Sequence, residues 1–342
     1  MSITIGWDIG GAHLKAARSE NGRIVDAVQV ASPLRLGLDA VTDAFARAQA
    51  RLGAADRHVV TMTGELADTF VSRQEGVEQL CALAVRALAP AAVSFYAGRA
   101  GLIAPEAASR HVEDVASANW YASASLVAKA RPAALFIDIG STTTDIVPVA
   151  GGAVAARGYT DAQRLRAGEL VYTGLVRSFL MAVADRAPFA GTWTPLINEN
   201  FANMADVYRI LGTLPPGADQ MVTADGREKT VAASIARLAR MVGHDAGEAD
   251  AAAWTALARW FVEAQLRTIL DGVHLVLSAA RLPDDAPVLG AGIGAEHVRR
   301  VAQRLGRPHR AFEDLIDVAP QARAAASCCA PAAALAILAH GQ

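Results

Sequence analysis

The sequence predicts a duplicated α/β fold, two units of like design meeting at a central cleft. Three observations carry this. The run Asp-Ile-Gly-Gly at 8–11 returns as Asp-Ile-Gly-Ser at 138–141, each time at the end of an apolar strand. Each copy is followed by a second strand, a turn and a third strand, and a hairpin pattern met twice marks a duplication where a single match would mark only a turn. The length, 342 residues, is that of roughly two domains of about 150 residues each.

Taken in order, the first unit (1–132) opens with a strand over ITIGWDI, a strand over Leu14–Ser19, an Asn21–Arg23 turn and a strand over Ile24–Val30. Periodicity predicts helices over Leu38–Leu52, Gly76–Ala89 and Asp114–Lys129, with strands at Val59–Thr63 and Ala92–Tyr96. The second unit (133–342) repeats the hairpin as Ala134–Ile139, Thr143–Val149 and, after the Gly151-Gly152 turn, Ala153–Tyr159. Helices are then expected over Ala167–Ala184, Val231–Val242 and Ala251–Arg281, the last whole or broken near Gly272. A strand at Pro287–Leu289 enters the loop Gly290–Gly294, and a helix runs on to Leu305. The Pro-, Gly- and Asn-rich stretch 188–226 is an insertion, too long to be structureless and expected to contribute to a substrate pocket.

Composition narrows the function. With 53% apolar and 19% charged residues the chain has a large core and is not disordered. A net charge of −2 leaves no surplus for binding nucleic acid by bulk electrostatics. Cys81, Cys328 and Cys329 form neither a disulfide framework nor a metal motif, which points to a reducing, cytoplasmic setting, and the eight histidines lack metal spacing. The N-terminus is no signal peptide, and the apolar run Ala330–Ala339 is too short for a bilayer, so it reads as a buried helix and no membrane is expected. Oligomeric state stays open.

Gly10 and Gly11, between two strands, can turn successive N–H groups toward one point, a nest for an anion. Lys15, one of three lysines, stands just beyond on the outgoing strand, and His13 lies in the same loop. The second loop, Gly140-Ser141-Thr142-Thr143-Thr144, adds hydroxyl donors. Asp8, Asp138 and Asp145 flank the two loops, and carboxylates beside a phosphate nest make sense around a divalent cation, taken as Mg²⁺. The bland alternative is a pair of hairpin turns capped by aspartates. Gly290, Gly292 and Gly294 either admit a nucleotide or substrate, or serve helix–strand packing. Trp120, Trp254 and Trp260 read as core. Asn119 reads as a pocket amide, and the cluster Asn198, Glu199, Asn200, Asn203 and Asp206 as an acceptor-recognition surface or a solvated loop.

DIGGAHLK and DIGSTTTD resemble the paired phosphate loops of the actin, Hsp70 and sugar-kinase superfamily, whose domains are duplicated and ribonuclease H-like. GAGIG stands where that superfamily has its adenosine loop, and Gly168-Glu169 resembles the start of its connecting helix. Within it, DIGSTTTDIVPV is most similar to the hydantoinase/oxoprolinase branch. TGELAD (63–68), EGVE (75–78), SANWYASA (117–124), TDAQRL (160–165), ELVYTG (169–174) and ADVYRIL (205–211) fall in one order. Together they resemble short hydantoinase-like proteins linked to tetrahydromethanopterin-dependent one-carbon transfer. The archaeal members act in methanofuran biosynthesis, condensing an aminomethylfuran-methyl diphosphate with the phenol of γ-glutamyltyramine. His13-Leu14 replaces small polar residues of those relatives, Met204 stands before Ala205-Asp206, and the segment around Cys328-Cys329 matches less closely.

The resemblance implies a transferase that stabilises a departing diphosphate through both loops, Lys15 and Mg²⁺, with a small-molecule diphosphate donor and a phenolic acceptor, tyramine- or tyrosine-like. Asp145, then Glu169 and Glu65, are the candidate bases, and Glu65 is alternatively a helix cap. Two other readings are an ATP-dependent kinase or oxoprolinase-like amidohydrolase, and a nucleotide-binding scaffold.

Overall fold

The computed structural model describes residues 2–341. The first sheet contains β1 (Ile3–Ile9), β2 (His13–Glu20), β3 (Arg23–Ala31), β4 (Arg57–Met62), β5 (Ala92–Tyr96) and β6 (Leu102–Ile103), in the order β3-β2-β1-β4-β5-β6. Helices α1 (Leu38–Leu52), α2 (Arg73–Leu88), α3 (Val112–Val115) and α4 (Asn119–Ala130) connect or flank them. Asn21 and Gly22 both take positive φ, which closes the β2–β3 hairpin with the twist that strands favour. In α1, Val41, Ala44, Phe45, Ala48 and Leu52 recur at helical spacing and face the first core.

The second sheet repeats the plan. β7 (Ala133–Ile139) pairs antiparallel with β8 (Thr144–Ala150), as β1 does with β2. β9 (Ala153–Val154) lies on the edge of β8. After α5 (Asp161–Ala167) comes β10 (Leu170–Val171), which also pairs with β8. α6 (Leu180–Val183), the hairpin β11 (Arg186–Phe189) and β12 (Thr192–Pro195), α7 (Met204–Ile210), α8 (Val231–Met241) and α9 (Ala251–Ala279) follow. β13 (Val288–Ala291) runs parallel to β7 as β4 does to β1, α10 (Ala295–Arg304) leads on, and β14 (His309–Ala311) runs parallel to β13. The chain ends in α11 (Arg323–Cys328) and α12 (Ala330–Leu338).

Helices α4 and α12 pack together between the sheets, sharing one core with Ala17 and Ile24 of the first and Phe136 and Val147 of the second. The alanines of α12 let it approach β1 so closely that a methyl group on Gly6 would lie 2.0 Å from the Ala332 carbonyl oxygen. Among the described residues no single helix is long and apolar enough to cross a membrane.

Three expectations are corrected. No helix covers 167–184. Thr160 and Gln163 cap α5 at its start and Gly168, with φ +72, ends it; Glu169 then leads into β10 instead of opening a connecting helix. The third strand of the second unit is two residues long. The helix expected over Asp114–Lys129 is interrupted before Asn119, with Ser117 at φ +51. α9, by contrast, is unbroken. Gly272 sits inside it because Val171 and Ile146 press against that point.

Candidate active site

The two hairpins agree residue for residue. Asp8 lies opposite Lys15 and Asp138 opposite Asp145, and each loop closes with the same bond, Gly10 N–H to His13 O at 3.0 Å and Gly140 N–H to Thr143 O at 2.9 Å. Lys15 therefore occupies in the first hairpin the position Asp145 occupies in the second. Among the described residues the N–H groups of Gly11, Ala12, Ser141 and Thr142 have no acceptor, as an anion nest requires. Gly174 supports the second loop from beneath, with room for no side chain: a methyl there would lie 2.5 Å from the Thr142 nitrogen.

Lys15 Nζ lies 3.8 Å from Asp8 Oδ2. Burial works against its ammonium, but Asp8 and Asp138 outweigh that and hold its pKa above the ordinary lysine value. Burial also raises both carboxylates against the pull of Lys15, Asp138 to about 7. The Asn119 amide, at the first turn of α4, acts on Asp8 in the other sense and favours its charged form. One Asp8 oxygen, Oδ1, is buried without a partner. Among the described residues no three acidic, histidine or cysteine side chains converge to hold an ion by themselves. Asp8 and Asp138 nevertheless fit a Mg²⁺ that completes its shell with water and phosphate oxygens, the usual way this ion is held.

The remaining carboxylates separate by what they touch. Asp145 is paired with Arg164 at 2.7 Å, whose guanidinium is buried over the Trp120 ring and also donates to the Glu169 carbonyl. Both carboxylate oxygens of Glu169 accept backbone N–H groups, from Arg157 at 2.6 Å and Gly158 at 2.8 Å, so Glu169 holds a turn. Glu65 caps no helix, since α2 begins at Arg73 under a Ser72 cap. It is 1% exposed; Ser117 donates to its Oε1 at 2.9 Å and Oε2 has no partner. Burial lifts its pKa above the usual carboxylate range. The turn at Gly64 rests on Ile9 and Gly10, which places Glu65 beside the first loop.

Several expected ligands have other tasks. The Thr144 hydroxyl donates to the Thr173 carbonyl at 2.7 Å, whereas Ser141 and Thr142 remain at the loop surface and Thr143 supplies the closing carbonyl. Asn203 and Asp206 form the capping box of α7, and Asp206 is further tied to Arg237 at 2.7 Å and to Ser234. Gly292 and Gly294 are required by packing: methyl groups there would lie 2.2 Å from Asp138 Oδ1 and 2.4 Å from the Ile139 side chain. Gly290 lies against Val298 and His309. His13 is buried with Nε2 free, and burial, then Lys15 and Arg177, lower its pKa to about 4, leaving a neutral imidazole beside the nest.

Ser117 and Arg164 stand inside the runs SANWYASA and TDAQRL, but nothing in the sequence sets either apart from its neighbours. Arg177 lies in a stretch whose periodicity predicts a helix, whereas its backbone N–H donates to the Ser141 carbonyl of the second loop.

The fold and the site define a two-unit α/β protein in which two hairpins of equal register meet. A nucleotide-free acetone carboxylase has the same fold, with a TM-score of 0.55 at 10% identity over 96% of this chain and 70% of that one. The family model for hydantoinase/oxoprolinase matches residues 56–340, and the chain belongs to that family. A Methanocaldococcus jannaschii protein named (4-{4-[2-(γ-L-glutamylamino)ethyl]phenoxymethyl}furan-2-yl)methanamine synthase is 31% identical over 71% of this chain and 72% of its own length. A Methanococcus vannielii protein of the same name is 28% identical over 50% of this chain and 75% of its own.

Proposed function

We propose that this chain is a transferase of methanofuran-type cofactor synthesis. It joins an aminomethylfuran-methyl diphosphate to the phenol of a γ-glutamyl-tyramine or -tyrosine acceptor, giving an aryl ether and free diphosphate, in the cytoplasm. The observation that carries the reading is the pair of loops in equal register around Lys15, in a chain whose relatives are named for that ether. The furan oxygen stabilises the carbocation left when the C–O bond to diphosphate breaks. Lys15 and the free N–H groups of Gly11, Ala12, Ser141 and Thr142 take up the charge that develops on the leaving group. The phenol oxygen then bonds to the carbon, and its proton passes to a base. Asp145 and Glu169 are engaged elsewhere, so the role falls to Glu65, whose Oε2 is free and whose raised pKa suits proton uptake. Asp8 and Asp138 would hold Mg²⁺, which would supply further neutralisation of the diphosphate.

The buried glycine loop at 290–294, its glycines used for packing, supports a diphosphate over a nucleotide. Calorimetric titration of the protein with Mg²⁺-diphosphate and with Mg²⁺-ATP tests this. Diphosphate binding without ATP binding is expected. Tight ATP binding would instead favour a kinase or amidohydrolase.

A further inference from the structure

Ser117 stands at a left-handed φ of +51, a conformation that serine rarely adopts. The turn sets its hydroxyl between two carboxylates, 2.9 Å from Glu65 Oε1 and 3.0 Å from Asp161 Oδ2. A hydroxyl carries one hydrogen, so it donates to one carboxylate at a time and the other contact needs a proton of its own. The three oxygens therefore satisfy both contacts by taking up one proton. Their two ends differ in surroundings. Glu65 is buried beside the first loop, with Oε2 unpartnered among the described residues. Asp161, at the first turn of α5, is partly exposed and pairs with Arg73 at 3.0 Å. Glu65, Arg73 and Ser117 belong to the first unit and Asp161 to the second, so the chain of oxygens is complete only where the units meet. The charges that face Glu65 are Arg73 of α2 and Asp161 of α5, while Glu75 of α2 bonds the Val71 N–H and Gln79 instead.

Resting on the transferase reading with Glu65 as its base, we propose that Ser117 and Asp161 carry the phenol's proton from Glu65 to solvent. The phenol O–H bond breaks and an O–H bond forms at Glu65 Oε2. A half-turn of the carboxyl about its last torsion, which is close to two-fold, brings that hydrogen to face Ser117. Ser117 Oγ takes it and passes its own hydrogen to Asp161 Oδ2, which releases it to solvent. Glu65 is left ionised for the next turnover. Arg73 holds the Asp161 carboxylate through the same oxygen that meets the hydroxyl. Ser117 and Asp161 act through Glu65, as positioning residues.

The test is ether formation from an aminomethylfuran-methyl diphosphate and γ-glutamyltyramine with Mg²⁺, followed across pH in H₂O and in D₂O. It compares the wild type with Glu65→Gln, Ser117→Ala, Asp161→Asn and Asp161→Glu. Ser117→Ala and Asp161→Asn should each lower kcat by about 10–10²-fold, with KM for the diphosphate nearly unchanged and a larger solvent deuterium isotope effect on kcat. The acidic limb of kcat/KM should move in opposite directions. It rises in Ser117→Ala, where the charged Glu65 loses a donor, and falls in Asp161→Asn, where Glu65 loses a like charge. Asp161→Glu keeps a carboxylate and should recover part of the loss. Near-UV circular dichroism checks that each variant is folded. Normal turnover in either folded variant, or a loss with the limb and the isotope effect unmoved, overturns the relay and leaves Glu65 as the base. If Glu65→Gln turns over normally the base assignment falls, if the wild type makes no ether the transferase reading falls, and the relay falls with either.

Discussion

Lys15 is the charge on which the cleft turns, because it lies against two buried aspartates and occupies the position where a third carboxylate, Asp145, stands in the duplicate hairpin. Lys15→Ala should lower turnover by about 10²–10³-fold, the usual loss when one transition-state charge donor goes, while the folded far-UV spectrum persists. Steady-state kinetics on the folded variant would decide, and near-normal turnover would remove Lys15 from the site. Glu65 and Glu169, both 1% exposed, should respond in opposite ways. Glu65→Gln keeps the Ser117 contact and loses the base, so turnover should drop about 10²–10⁴-fold with stability held. Glu169→Gln places an amide donor against one of the two backbone N–H groups and should cost about 1–3 kcal/mol in urea unfolding, with turnover near normal in the folded fraction. The contrast is invisible in the sequence, where both are glutamates beside a glycine. What separates them is which N–H groups the fold brings to each.

At the scale of elements, the positions that matter most are where backbones meet. Gly6→Ala should cost about 3 kcal/mol or more, measured by urea unfolding, because a methyl group at Gly6 meets the α12 backbone and no flexible side chain can yield. A small cost would mean that α12 is free to shift. The sequence made the hairpins legible through Asp-Ile-Gly at 8–10 and 138–140, and α1 through its apolar spacing, because local periodicity decides both. The stretch 167–184 misled. Its apolar residues do recur at helical spacing, but Glu169 pins the turn at 157–158 and Ser178 bonds the Gly174 backbone, and these tertiary contacts override the pattern. In the insertion, Asn203 and Asp206 cap α7 and Asp206 pairs with Arg237, while Asn198, Glu199 and Asn200 are exposed. Capping and recognition use the same side chains, and only the fold tells them apart.

For the whole molecule, the buried histidines set a pH limit. His13 and His58 have their pKa values lowered by burial from 6.5 to about 4, and His58 accepts the Trp7 indole N–H at 3.1 Å. Above 6.5 neither state is protonated. Between 6.5 and 4 the unfolded chain takes up protons that the folded protein refuses, so stability falls as pH falls, by at most about 1.4 kcal/mol per pH unit for each histidine. Asp138, raised to about 7, works in the opposite direction over this range, so the informative quantity is a difference. His58→Gln, which keeps an acceptor for Trp7, should show a shallower loss of urea stability between pH 7 and 5 than the wild type. An unchanged slope would place the acid sensitivity elsewhere. On the proposed reading, the anion taken between the two units is a leaving group. Purified protein should therefore be incubated with an aminomethylfuran-methyl diphosphate, γ-glutamyltyramine and Mg²⁺, without ATP, and the products read by mass spectrometry and a diphosphate assay. The aryl ether and diphosphate appearing in equal amounts is the predicted result. No ether without ATP, or diphosphate released without the acceptor being consumed, would contradict it.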